Sequence, residues 1–356
     1  MATHFQSLSI RRIVRETADA VTLYLDIPEH LKNNFTFLQG QNITFRVSLN
    51  GEEIRRSYSI CKAPYENELA VTVKKIPHGK FSTWANESIQ IGTQIDAMIP
   101  SGSFHVPLQP KASKNYAAFA AGSGITPIIS IIKQTLHDEP NSSFTLVYNN
   151  KYRNSIIFFE ELEALKNRYL ERFQLIHLLS QERTESLLNH GRINAEKLEV
   201  LSKLIHYSML DDCFICGPES MIFTVRDFLV EKGLRESQIH FELFTSTSSH
   251  HHEDATQSAG TDGMATVQIT VDGRTSSFQL GYRDGSILDA ALKTGADLPY
   301  ACKGGMCCTC KAKLLEGNVH MPVHWGLENE EIEKGFILTC QAHPVTEKVV
   351  IDFDLR

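Results

Sequence analysis

No apolar run in the sequence approaches the roughly eighteen residues that a membrane-spanning helix needs. The opening residues, Met1 to Ile10, lack the basic-then-apolar layout of a secretory signal. There is no tract of lysine and arginine, and the net charge is −7, so nucleic acid and anionic membranes are poor partners. Internal repeats are absent. Cysteines are scarce outside one region, five of the eight lying between Cys302 and Cys340, whereas a secreted disulfide framework would spread them. A cytoplasmic protein is expected, because thiolates kept for redox chemistry need a reducing compartment. With 42% hydrophobic and 22% charged residues the composition is that of a soluble globular protein, and 356 residues call for two or three domains.

The cysteine-rich stretch, Tyr300 to Cys310, reads Y-A-C-K-G-G-M-C-C-T-C. Four residues separate Cys302 from Cys307, two separate Cys307 from Cys310, and Cys340 stands alone downstream. This is the plant-type spacing for a [2Fe–2S] cluster, with three thiolates in one loop and the fourth far along the chain. Gly304 and Gly305 permit a tight loop whose N–H groups can face the sulfur atoms. Zinc is the alternative occupant, although zinc knuckles pair their cysteines as two C-x-x-C hooks.

Short β-branched or alternating runs at 10–14, 21–27, 42–49, 57–61 and 69–75, broken by turn signals, predict a small antiparallel β-barrel over 1–110. Within it, Arg55-Arg56-Ser57-Tyr58-Ser59-Ile60 combines a cation, an aromatic plane and a hydroxyl. Alternation along a strand is expected to turn the Arg, Tyr and Ser toward one side, as a cofactor site would need. Gly79-Lys80-Phe81-Ser82 precedes a helix whose N-terminus could take a pyrophosphate.

From 111 to 244 strands and helices alternate, which predicts a doubly wound parallel sheet of the α/β class. Three strand ends carry candidate ligand residues: Gly122-Ser123-Gly124-Ile125-Thr126-Pro127, the stretch 149–153, and Cys216-Gly217-Pro218. The Gly-x-Gly pair is shorter than a dinucleotide fingerprint, so a bare strand-to-helix turn stays open. Residues 245–263 are polar and read as a flexible linker, with His250–His252 carrying no ligand role. Over 264–356 a hairpin at Asp272-Gly273, a helix capped by Ser286 and the cysteine loop predict an α+β ferredoxin domain.

A nicotinamide gives up two electrons at once, and an iron–sulfur cluster takes one. A flavin joins them because it accepts a pair and releases its electrons singly. Barrel, doubly wound sheet and ferredoxin module thus form one line from NAD(P)H to flavin to [2Fe–2S] to an outside acceptor.

Along its whole length the chain resembles the ferredoxin–NADP reductase superfamily with a C-terminal β-grasp ferredoxin domain. The residues carrying the likeness are R-R-S-Y-S-I at 55–60, G-K-F-S at 79–82, A-A-G-S-G-I-T-P at 120–127, F-I-C-G-P at 214–218 and A-D-L-P-Y-A-C-K-G-G-M-C-C-T-C-K at 296–311. Within the superfamily it looks most similar to the reductase subunits of phenylacetyl-CoA ring epoxidation. That resemblance implies NADPH as donor, FAD and [2Fe–2S] as cofactors, and the subunits of a di-iron oxygenase as partners. A Rieske or other oxygenase partner, and a redox-sensing module without turnover, are the competing expectations.

The resemblance also implies residue roles. Arg56 would hold the flavin pyrophosphate with Ser57, Gly79, Lys80, Phe81 and Ser82; Tyr58 would stack on the ring and Ser59 would donate toward N5, with Lys74 nearby. Gly122, Gly124, Thr126, Pro127 and Gly217 would line the nucleotide, Cys216 would stand beside the nicotinamide, and Phe244 would close the flavin face. Arg153, Ser180 and Arg183 suit a 2′-phosphate. Cys302, Cys307, Cys310 and Cys340 would ligate the cluster; Cys308, where a small non-thiol residue is usual, is read as a bystander, with ligand swapping as the alternative.

Overall fold

Alternating buried and exposed side chains build the first sheet from β1 (Gln6–Thr17), β2 (Ala20–Asp26), β3 (Asn42–Leu49), β4 (Glu52–Ser59), β5 (Leu69–Lys74) and β6 (Gln94–Ala97). In the computed structural model, which describes residues 5–183, 186–244 and 263–355, these strands run antiparallel in the order β4-β3-β6-β1-β2-β5. Ile60 bridges Val71 and the Cys61 N–H donates to the Ala70 carbonyl at 3.0 Å, so the sheet closes on itself and hides its edges. Asn50 and Gly51, at φ 53° and 80°, form the left-handed pair of a two-residue hairpin that fixes the β3–β4 register. β4 begins at Glu52 rather than near Ser57 because its first half is charged and hides the strand signal. β6 is too short and polar to read from sequence. Helix α1 (Lys80–Glu87) follows β5.

The second sheet takes β7 (Asn115–Ala121), β8 (Ser143–Asn150), β9 (Phe173–Leu179), β10 (Asp212–Gly217) and β11 (Ile239–Leu243), all parallel, in the order β11-β10-β7-β8-β9. Helices α2 (Ile125–Asp138), α3 (Phe159–Arg168), α4 (Ala195–Leu201) and α5 (Glu219–Glu231) cover it. Strand order reverses between β7 and β10, and the crevice beyond their carboxyl ends is where doubly wound sheets bind ligands. Along β7, Ala118 and Ala120 face the core shared with α2 and α3, whereas Ala117 and Phe119 face the core of α4 and α5. Twelve of the fourteen residues of α2 are buried, because its outer side meets the barrel: Ser130 Oγ donates to the Lys62 carbonyl at 2.7 Å.

β12 (Met264–Val271), β13 (Arg274–Gly281), β14 (Lys311–Glu316), β16 (Phe336–Leu338) and β18 (Lys348–Asp352) form a mixed sheet in the order β13-β12-β18-β14-β16; β15 (Val319–His320) pairs with β17 (His343–Pro344) beside it. Helix α6 (Ile287–Lys293) packs against this sheet and α7 (Asn329–Glu333) lies near its edge strand. β12 and β18 are parallel neighbours, which with the flanking hairpin gives the β-grasp arrangement expected. Ser286 caps α6 by accepting from the Asp289 N–H, and the Asp272-Gly273 turn is held by both carboxylate oxygens of Asp354. The expected linker, His250–His252 included, lies outside the described residues except for Gly263. Among the described residues no helix is long and apolar enough to cross a membrane.

Candidate functional site

Side chains alternate along β4, so the expected single face for Arg, Tyr and Ser does not exist. Arg56 and Tyr58 lie opposite Phe45 and Ile43 on one face; Ser57 lies opposite Thr44 on the other, which Arg55 and Ser59 share. Phe81, 2% exposed, packs behind the Tyr58 ring at 5.1 Å between centroids. It therefore supports the aromatic plane from within the barrel core. Lys80 is turned away to pair with Glu52. Gly79 precedes α1, and the Ser82 hydroxyl donates to its carbonyl at 3.2 Å while accepting from the Ile76 N–H at 3.2 Å. Arg56 is exposed, its Nη1 donating to the Arg55 carbonyl at 2.7 Å.

At the switch point the backbone of α2 comes hard against β10. A Cβ on Gly124 would stand 2.0 Å from the Cys216 carbonyl oxygen, so no side chain fits there. Gly122, at φ 55°, turns the chain out of β7, and its carbonyl accepts from the Tyr148 hydroxyl at 2.8 Å. Lys74 reaches the same turn, with Nζ 3.7 Å from Asp19. Thr126 is 3% exposed and donates to the Ser123 carbonyl at 3.0 Å, and Pro127 is buried beside it in the first turn of α2. Gly217 leaves room for Met221 and Ala121. Cys216 pairs with Ala120 on one side and Glu242 on the other, and burial holds its thiol well above the usual range, hence protonated.

Glu242 is absent from the residues that the sequence singles out. It stands inside strand β11, next to Phe241 and Leu243, and the Ser59 hydroxyl donates to its Oε2 at 3.0 Å across the gap between barrel and parallel sheet. Burial pushes its carboxyl up to about 7, and the Ser59 hydrogen bond only partly offsets this. A single acid two positions before an aromatic, Phe244, at a strand exit is the one signal that could have found it. Phe244 itself is 38% exposed at the end of β11.

A cavity of about 1120 Å³ opens between β1 and the carboxyl ends of β8 and β9, lined by Arg12, Tyr24, Lys62, Arg153, Glu182 and Arg183 among others. Arg153 and Arg183 both line it. So does an acid: Glu182 Oε2 accepts from the Arg153 N–H at 2.7 Å. The Ser180 hydroxyl is turned to the Asn150 carbonyl at 3.2 Å.

In the cysteine loop, the Cys302 and Cys307 sulfurs lie 3.2 Å apart, and Gly304 N–H and Cys307 N–H each donate to Cys302 Sγ at 3.4 Å. Hydrogen bonds from Cys307 and Cys340 hold the Cys302 thiol well below its usual range, and Cys340 contacts both Cys302 and Cys310. Four sulfurs thus gather, while Cys308 points elsewhere: its thiol bonds Ser101, and burial pushes it up to about 11. The contacts join Cys302 to Cys307 and Cys310 to Cys340. Thiols joined in pairs fit a dinuclear cluster, in which each metal takes two protein ligands.

A closed barrel bearing an aromatic-and-hydroxyl strand, a doubly wound sheet and a ferredoxin module define a flavin-dependent electron-transfer reductase. Comparison with known proteins agrees. Residues 7–106 match the oxidoreductase FAD-binding domain family, 119–227 the oxidoreductase NAD-binding domain family, and 269–345 the 2Fe-2S iron-sulfur cluster binding domain family. The chain is 43% identical over 355 residues, 99% of each chain, to one of the subunits of the 1,2-phenylacetyl-CoA epoxidase of Escherichia coli (strain K12). It is 33% identical over 353 residues, 97% of this chain and 96% of the other, to the ferredoxin reductase component of 3-ketosteroid-9-alpha-monooxygenase from Rhodococcus rhodochrous. Its fold matches that of phthalate dioxygenase reductase with a TM-score of 0.59 at 24% identity, covering 98% of both chains. The chain belongs to the ferredoxin–NADP reductase type of oxygenase reductases that carry a C-terminal ferredoxin domain: an oxidoreductase with FAD, a nicotinamide nucleotide and a [2Fe–2S] cluster.

The raised carboxyl of Glu242 sets a pH-dependent stability. Between its ordinary 4.5 and about 7 the folded chain holds a proton that the unfolded chain has released, so stability falls as pH rises through that window. Glu242→Gln removes this contribution. In urea denaturation of the flavin-free protein, the variant's stability relative to the parent should grow between about pH 5 and about pH 8; a constant difference would show that Glu242 titrates as an ordinary carboxyl.

Proposed function

We propose that this chain is the reductase component of a phenylacetyl-CoA epoxidase, passing electrons from NADPH through FAD and [2Fe–2S] to a di-iron oxygenase. The observation that carries this reading is end-to-end identity of 43% with the epoxidase component of Escherichia coli. Residues 1–110 hold FAD, 111–244 the nucleotide and 264–356 the cluster, in a cytoplasmic protein whose thiolates stay reduced.

Bound FAD supplies the conversion from paired to single electrons. The exposed Arg56 guanidinium and the α1 N-terminus at Gly79 and Ser82 suit its pyrophosphate. Tyr58, backed by Phe81, presents a ring face on which the flavin would stack, and Ser59, whose hydroxyl bonds Glu242, is the residue that the resemblance would put near the flavin N5. Glu242, with its carboxyl pushed up to about 7, gains or loses its own proton near neutral pH, while the Ser59 hydroxyl stays protonated and keeps the hydrogen bond between them. Cys216, kept as a neutral thiol, shapes the nicotinamide pocket, and Gly124 lets α2 approach close enough to exclude water there. Cys302, Cys307, Cys310 and Cys340 hold the cluster.

For the nucleotide, Arg153 and Arg183 favour NADPH, and Glu182 moderates that preference by its charge. Arg153→Ala with Arg183→Ala should raise the NADPH KM by tenfold or more and leave NADH use nearly unchanged, as a lost charge-assisted hydrogen bond costs roughly 1.5–3 kcal/mol. Equal losses with both nucleotides would remove the assignment.

Changing Cys302, Cys307, Cys310 or Cys340 to Ser should each abolish the visible absorption of the cluster with FAD retained, and Cys308→Ser should preserve both. Bleaching by Cys308→Ser alone would transfer the ligand role to that thiol. The full reading is tested by reconstitution: NADPH, this chain and the di-iron oxygenase subunits should epoxidise phenylacetyl-CoA. The second reading, a reductase for another oxygenase, rests on the 33% identity to the ketosteroid monooxygenase component. Failure with the di-iron subunits while cytochrome c is reduced normally would favour it.

A further inference from the structure

The ferredoxin module meets the barrel on the outward face of β4, and the main contact there is Arg55. Its side chain is 7% exposed. Nη1 donates to the Leu298 carbonyl at 3.2 Å, Nη2 stands 3.7 Å from Asp297 Oδ1, and the guanidinium lies 4.3 Å from the Tyr300 ring centroid. Nε is occupied within the barrel by Glu53 at 2.8 Å. The planar fork thus grips the approach to Cys302 from three directions, a geometry that an ammonium cannot reproduce.

Two residues further along the same face, Ser57 Oγ is 3.4 Å from Thr309 Oγ1, and Thr44 Oγ1 is 3.2 Å from it. Thr309 is 3% exposed and sits between Cys308 and Cys310. The next residue of β4, Tyr58, belongs to the opposite face. One strand therefore lies between the flavin side of the barrel and the cluster loop. A third contact lies on the nucleotide side, where Trp325 packs on Phe223 and Phe241 at 5.1 and 6.1 Å between centroids.

We propose that Arg55 is a positioning residue that latches the 297–300 segment and thereby seats the cluster loop on β4 for electron transfer. Each event moves one electron: the flavin is oxidised by one, the cluster is reduced by one, and no bond forms or breaks in the protein. Arg55 touches neither cofactor in this role, and its effect is on the separation between them. The proposal rests on the reading of the chain as a flavin-to-cluster reductase.

The test compares Arg55→Ala, Arg55→Lys and Tyr300→Leu with the parent in the full chain carrying FAD and cluster. In stopped-flow mixing with NADPH, flavin bleaching should stay within about twofold of the parent in all variants. Cluster reduction should slow at least about tenfold in Arg55→Ala and by less in Arg55→Lys and Tyr300→Leu, which each keep part of the grip. Flavin and cluster spectra and the cluster potential should not move. Hydrogen–deuterium exchange of 297–309 in the oxidised, nucleotide-free protein should quicken in the same order as cluster reduction slows. Should Arg55→Ala not fold, the two milder variants carry the comparison. Cluster reduction at the parent's rate, equal slowing of both steps, or unchanged exchange would each overturn the latch. Failure of NADPH and NADH to bleach the parent's flavin would instead remove the reductase reading, leaving the exchange experiment to judge the latch.

Discussion

The two-residue period of β4 is the constraint on which the other arrangements depend. In four residues the strand must offer Arg56 and Tyr58 to one side and Arg55 and Ser57 to the other. A slip of one residue against β3 would exchange the two sets, turning the aromatic ring toward the ferredoxin module. The Asn50-Gly51 turn prevents this, since its left-handed pair allows only one hairpin register. Fixing one short turn therefore fixes two functional faces at once.

The barrel must also be held at a set distance from the parallel sheet, because the Ser59–Glu242 hydrogen bond spans them. A buried charge network does this. Lys62 Nζ lies 3.4 Å from Glu66 and 3.3 Å from Glu161, and Lys133 on α2 lies 3.1 Å from Glu66 and also bonds Glu161. Burial pushes the Lys62 ammonium down, but Glu161 and Glu66 outweigh it and hold the group well above its usual range. Such networks add little net stability compared with apolar packing, yet breaking one member costs about 3–5 kcal/mol because it strands a buried charge. Here the network ties the barrel's Lys62 and Glu66 to Lys133 on α2 and Glu161 on α3.

What can be read without coordinates follows from how local each signal is. The cluster loop is legible because four thiols at fixed spacing are a local pattern, and the buried strand β7 because its apolar run is too. β6 and α4 are not, being short and mixed in polarity. The facing of 55–60 comes out wrong when Ser59 is grouped with Arg56 and Tyr58; strict alternation corrects it. Glu242 is hidden because a lone acid in a short strand has meaning only when Ser59 is known to lie 3.0 Å away. Arg55 is eclipsed by Arg56 for the same reason: two neighbouring arginines look alike until one is 7% exposed and bonded to a carbonyl 243 positions away.

The cluster loop has two unlike flanks, and this bears on how electrons leave it. Met306 and Thr309 are buried against the nucleotide and flavin sides, whereas Cys302 and Lys303 face solvent. Lys303 is no free cation, because its Nζ pairs with Asp289 at 2.8 Å and covers the Tyr300 ring. An approaching acceptor therefore meets the Lys303–Asp289 pair at the Cys302 side of the loop, while the opposite flank stays engaged with β4. Entry and exit of electrons can use different flanks of one loop, so holding the module by Arg55 does not close the route to a partner.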